Sequence, residues 1–186
     1  LYARKTDGFK QVDSVSTRDA AGDSGFYNIE PMIKIAWEPD SNLYQRLELK
    51  YGYTEKKADE TYLGLSSTDF RETPYRRYAA SQYDNIDTQQ HRSYIRYFIS
   101  PMGSVDVITT AYYNQFARNW YKLNDLRSAP GGLSANLDMS AALAGARSGA
   151  GLACLRGELS CGLRVRANNR EYNAWGIQSD LEWRTG

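Results

Sequence analysis

The sequence has little of what most catalytic and metal sites are built from. Its 186 residues include one histidine, His91, and two cysteines, Cys154 and Cys161. A lone histidine argues against a histidine-based metal centre. There is no phosphate-binding glycine loop, no nucleophile motif and no metal-ligand spacing. No pair of carboxylates is arranged for general acid–base work. Charge of one sign is not in excess either: 23 basic residues face 22 acidic ones, for a net charge of +1. That balance speaks against a nucleic-acid partner. No window holds 18 apolar residues, which excludes a transmembrane helix. The first residues lack the basic and apolar segments of a signal peptide, so either a precursor was processed or the chain is a piece of something longer; the strand count below favours the second. No cofactor and no enzymatic activity are expected.

What is plentiful is tyrosine and tryptophan, with 15 and 4 residues. These two residue types populate the belts where a protein crosses the membrane–water interface. The mean hydropathy of −0.64 does not oppose that, because a transmembrane barrel has a polar lumen and polar loops, and only one face of each strand meets lipid.

Apolar residues recur with a period of two, the period of a strand. In Leu43 to Tyr53, residues Leu43, Leu47, Leu49, Tyr51 and Tyr53 share a face, interrupted only by Gln45. Tyr44, Arg46, Glu48, Lys50 and Gly52 share the other. The last segment repeats this arrangement, with Trp175, Ile177, Leu181 and Trp183 against Gln178, Asp180, Glu182 and Arg184. Ile95, Tyr97 and Ile99 oppose Arg92, Tyr94 and Arg96, and Ile33, Ile35 and Trp37 oppose Lys34 and Ala36. Val105 to Ala117 is strand-like with both faces mixed.

Short and long connections alternate. Glu38-Pro39-Asp40-Ser41 and Ser100-Pro101-Met102-Gly103 carry turn chemistry. The other connections, about 9–26, 54–88 and 118–170, are long. Bacterial outer-membrane barrels pair short periplasmic turns with long extracellular loops. A strand of eleven residues spans about 37 Å. Tilted by roughly 40°, it crosses about 28 Å, close to the apolar band of such barrels. Six strands are predicted, roughly 1–8, 27–38, 42–54, 88–99, 104–117 and 170–184. The fold class is therefore all-β: a partial antiparallel transmembrane barrel wall.

Three stretches carry a family resemblance. One is DETYLGLSSTDFRETPYRRYAASQ, from Asp59 to Gln82; the others are TTAYYNQFARNWYKLN and NNREYNAWGIQSDLEW, from Thr109 and Asn168. In order and spacing they resemble the barrel of TonB-dependent outer-membrane siderophore receptors of the ferric-citrate type. Residues 128–164, rich in Ala, Gly and Ser, match nothing in that family and read as a variable loop. The resemblance implies active uptake of a ferric siderophore through a plugged barrel of 22 strands, driven by the TonB–ExbB–ExbD complex. Neither plug nor TonB box is present in the sequence. Six strands cannot close so large a barrel, and lipid does not tolerate an open edge. The expected partners are thus a ferric chelate, that complex through the missing N-terminal part, and outer-membrane lipid.

Six residues are candidates for ligand contact from the extracellular loops. Arg76, Arg77 and Tyr78 could meet an anionic chelate, since guanidinium pairs well with carboxylate. Alternatively the arginines shape the loop through Asp69, Glu72 or backbone carbonyls. Arg118, Trp120 and Tyr121 could wall a vestibule or belong to an interfacial girdle. Cys154 and Cys161 are a disulfide candidate in an exported protein; in the cytosol they would be free thiols. Competing readings are a passive porin, a receptor for cobalamin or a glycan, a barrel enzyme using His91, and a soluble sugar-binding β-sandwich.

Overall fold

The computed structural model describes residues 1–14, 24–145 and 149–185. The chain begins with β1 (Tyr2–Thr6), β2 (Gln11–Val12), β3 (Phe26–Glu30), β4 (Met32–Trp37) and β5 (Tyr44–Ala58). Next come α1 (Ser67–Glu72), β6 (Arg76–Arg77), a 3₁₀ turn at Ala79–Ser81, β7 (Asn85–Met102) and β8 (Val105–Arg127). It ends with β9 (Leu137–Asp138), α2 (Met139–Leu143), α3 (Ala150–Arg156), β10 (Gly162–Ala167) and β11 (Arg170–Trp183).

One antiparallel meander dominates. β1 pairs with β3, β3 and β4 both pair with β5, β5 with β7, and β7 with β8. β10 and β11 together pair along the far side of β8. β3 and β4 form one ribbon interrupted at Pro31, which has no N–H for the ladder. Its carbonyl still accepts from Tyr53 N at 3.0 Å, so the connection to β5 continues across the break. The result is the expected six-ribbon wall. Among the described residues the sheet does not close on itself.

Register decides which side chains share a face, because directly paired residues point the same way. Ile35, Leu49, Ile95, Ala111 and Ile177 form one row across five ribbons. Trp37, Leu47, Tyr97, Thr109 and Ser179 form the next. This face is exposed: Ile35 is 54% exposed, Ile95 52%, Ile177 73% and Trp175 77%. No second layer covers it among the described residues. Toward the short turns the face ends in Trp37 and Trp183; toward the long loops it ends in Tyr51, Tyr113 and Trp175. The reverse face is polar and internally paired. Glu48 accepts from Lys34 at 3.1 Å and Arg46 at 2.8 Å, and Arg184 meets Asp106 at 2.8 Å. The mixed pattern of β8 resolves in the same register: Val105, Val107, Ala111 and Tyr113 lie on the apolar face, and Ile108 and Tyr112 on the polar one.

The strands outrun the predicted ones. β5 continues to Ala58, β7 starts at Asn85 and β8 runs to Arg127. Beyond the apolar belt both faces of a strand can be polar, so the alternation that marks it disappears. The connections shrink accordingly, to 59–84 and 128–161. They are also not irregular. Leu63, Leu65, Tyr78, Leu123, Leu126, Leu133, Leu137, Ala142, Cys154 and Leu155 pack into one small core. Register shifts between Arg164 and Val165, opposite Leu123 to Asp125 on β8. This bulge turns both Leu123 and Leu126 toward that core. Backbone closeness matters at Gly132, where a Cβ would lie 1.9 Å from the Ser160 carbonyl oxygen. The segment 128–164, expected to be a variable loop, thus contains two helices and part of a packed cap.

Candidate functional site

Two clusters lie beyond the apolar belt, at the end of the long connections. The first is a buried hub on Asp69, which is 1% exposed. α1 places it there. Ser66 caps that helix by accepting from Asp69 N at 3.2 Å, the usual role of a serine at this position. The Asp69 carboxylate accepts from Tyr78 Oη at 2.5 Å, Arg76 Nη1 at 2.8 Å and Arg156 Nη2 at 2.6 Å. Burial alone would raise its pKa, but hydrogen bonds from Arg156, Tyr78 and Ser66 outweigh that and hold it at about 2. Arg76 also donates from Nε to Asp13 at 2.9 Å. There β2 and β6 pair in parallel. Two connections therefore meet on one carboxylate, and Arg76 ties in a third through Asp13.

Arg77 is 4% exposed. It donates to Ser81 Oγ at 3.0 Å and to the carbonyls of Ser81, Asp84 and Asp59. The Asp84 carboxylate, buried as well, accepts from Thr61 Oγ1 at 2.5 Å and Leu123 N at 2.6 Å. Burial pushes its pKa up against those bonds. Arg76, Arg77 and Tyr78 are thus brought together inside the cap, with their donors directed to protein acceptors. A guanidinium engaged as Arg77 is has little left to offer a chelate.

The second cluster lies on the polar face of β8. Arg118, Trp120 and Lys122 alternate with Asn119 and Tyr121, so the first three point one way and Tyr121 the other. All lie in a strand rather than in the expected loop. Tyr62 from the connection 59–84 packs on Trp120, with ring centroids 4.5 Å apart. The Lys122 ammonium stands 4.5 Å from the Tyr62 ring centre and 5.5 Å from that of Trp120, and the Arg118 guanidinium 5.4 Å from Trp120. These are cation–π distances. Trp120 therefore faces away from the apolar side and lies beyond it.

Register extends this surface. Arg170 pairs with Arg118, Arg166 with Lys122, and Lys56 with Thr88, itself opposite Arg118. Arg4 joins through Asn28. Glu30 and Glu60 are the acidic residues nearby, and Glu60 meets Lys56 at 3.8 Å. The opposite side at this height carries Glu55, Asp87 and Glu171 with Lys57 and Lys5. At this height the polar face carries an excess of cations, while the reverse is mixed. A concavity of about 590 Å³, lined by Arg4, Lys56, Glu60 and Phe116 among others, opens on the cationic side.

Cys154 and Cys161 form a disulfide with Cα atoms 6.0 Å apart. It joins α3 to the start of β10. His91 lies on the apolar face, with Nδ1 2.7 Å from Tyr51 Oη. Among the described residues no group of three or more metal-ligating side chains assembles. Tyr62, Lys122, Arg166 and Arg170 escaped the sequence reading. Carrying the period-two count past Ala117 would have put Arg118, Trp120 and Lys122 on one side.

Comparison with protein-family models, curated proteins and solved structures returns no match.

Proposed function

We propose that this chain is a section of the wall of an outer-membrane receptor that takes up an anionic ferric chelate. The observation that carries the membrane assignment is the exposed apolar face, bounded at both ends by aromatic side chains and backed by a paired polar face. Water would oppose such a surface, whereas hydrocarbon matches it. In this reading the polar face looks into the lumen, and further strands complete the barrel of 22. An N-terminal plug fills it, and coupling to the TonB–ExbB–ExbD complex runs through that plug. The resemblance of Asp59–Gln82, Thr109–Asn124 and Asn168–Trp183 to ferric-citrate-type receptors supports active transport.

The cations on the polar face beyond the belt favour a negatively charged cargo. The test is growth of the parent strain under iron limitation with defined ferric chelates as sole iron source. Expression should rise when iron is scarce, and Arg118→Gln with Lys122→Gln should slow uptake at low chelate concentration. Indifference to iron in both measurements would sink the proposal.

A further inference from the structure

Resting on the membrane reading, we propose that the apolar side of this wall seats one glycolipid. Its hydroxyl-rich sugar headgroup would lie in a hollow on β7, β8 and β11, and its chains in the groove below. The hollow has a volume of about 450 Å³. Ala117 is its floor, and Asp87, Gln89 and Glu171 stand around it, on the same face as Ile95 and Ile177 by register. The side chains of Asp87 and Gln89 make no hydrogen bond or ion pair among the described residues. Glu171 accepts from Gln115 at 2.6 Å through one oxygen only. Arg118 and Arg170 border the hollow, but their side chains belong to the other face, one over Trp120 and the other bonded to Tyr172. Lys57, opposite Asp87, lies on the side away from β11 and does not line it. Ionised carboxylates only accept hydrogen bonds, so the hollow suits hydroxyl donors and repels phosphate. Asp87 and Glu171 lie two strands and two residues apart, about 12 Å between Cα atoms. A single ammonium is too small to meet both, whereas a sugar carries hydroxyls on several sides.

Height points the same way. The Gln89–Ala117 row lies beyond the Ser93–Tyr113–Trp175 row, where the apolar face ends. At a tilt of roughly 40° the difference is about 10 Å. A phospholipid headgroup layer is roughly 5–8 Å thick, so a larger headgroup is needed to reach the hollow. On the side of the short turns, Ser93 and Ala111 floor a groove of about 510 Å³ between Leu49, Tyr51, Ile95 and Tyr113. It is continuous with the apolar belt and takes the hydrocarbon chains of the same molecule.

The experiment places the full-length protein in phosphatidylcholine nanodiscs and titrates diglucosyl diacylglycerol or phosphatidylglycerol with the same chains, read by native mass spectrometry. The wild type should retain the glycolipid about tenfold more strongly, the worth of one hydrogen bond to a charged acceptor. Asp87→Ala with Glu171→Ala should abolish that preference. Asp87→Asn with Glu171→Gln keeps an acceptor at each position and should retain most of it, which separates loss of acceptors from loss of fold. Ala111→Phe fills the groove and should weaken the glycolipid. Gln90→Ala, next to the hollow but on the opposite face, should change nothing. Equal retention of both lipids by the wild type, or wild-type retention of the glycolipid in the double alanine or Ala111→Phe variant, removes the inference and leaves the membrane reading in place. Competition by free maltose as strong as by the glycolipid would make this a site for soluble sugar and also overturn it. A protein that does not enter the nanodiscs overturns the membrane reading, and this inference with it.

Discussion

Asp69 is the residue on which the outer cap turns. Its carboxylate receives Arg76, Arg156 and Tyr78 in a site closed to water. Removing one partner of a buried charge network leaves the others unpaired. Asp69→Asn should therefore loosen the cap by roughly 3 kcal/mol. The measurement is protease sensitivity of segments 59–84 and 128–161 in the intact protein, with the belt strands unaffected. The pH dependence has a definite sign. The folded pKa lies below the ordinary carboxylate value of 3.8, at about 2. The stabilisation is complete above pH 4 and is lost as pH falls through 2, for a total of about 2 kcal/mol. Hydrogen exchange of the cap amides should accelerate over that window in the wild type and not in Asp69→Asn. Part of the hub was legible in the sequence, since Asp69 and backbone carbonyls were natural partners for Arg76 and Arg77. Arg156 was not, because it lies 87 positions from Asp69 in a segment with no recognisable pattern.

At the scale of the element, the apolar belt was the most legible feature. Alternation needs only that one face meets a uniform solvent, and Leu43–Tyr53 and Asn173–Trp183 show it plainly. Where β8 leaves the belt, both faces become polar and the count fails, which hid its run to Arg127 and the positions of Trp120 and Lys122. The cap was invisible for a related reason: its core gathers leucines from the 59–84 connection, β8, the stretch around Leu133 and Leu137, and α3, with no common period. The belt makes a sharp prediction. On the proposed membrane reading, Leu49→Lys or Ile177→Arg should destabilise the parent protein by about 2–4 kcal/mol, read from denaturant unfolding in vesicles. Gln178→Lys, on the opposite face, should cost little. In the cap, α3 is tied to β10 by the Cys154–Cys161 bond. The ring it closes is short, so Cys154→Ser with Cys161→Ser should cost about 2 kcal/mol of cap stability. The loss would appear as faster proteolysis around Ala150–Arg156, again with the belt intact.

For the molecule as a whole, two gradients cross in one sheet. Along the strands, hydrocarbon-compatible residues give way to a charged, capped extension. Through the sheet, an apolar face backs onto ion pairs, and further out a cationic face backs onto a mixed one. A soluble sandwich would bury the first face and a porin would need no such cap, so the surroundings of the two faces separate the readings. Single labels at Ile95 and Ile177 in the reconstituted full-length protein should be quenched by nitroxide lipids and shielded from aqueous nickel chelate. Labels at Lys50 and Gln178 should show the reverse, and labels at Lys56 and Arg170 should be quenched from the aqueous phase alone. Because the period is two, an error of one residue in register would exchange the results at Ile95, Ile177, Lys50 and Gln178 at once. Aqueous quenching at Ile95 and Ile177 would therefore remove the membrane assignment entirely, and the cationic surface would lose its place as the wall of an entry path.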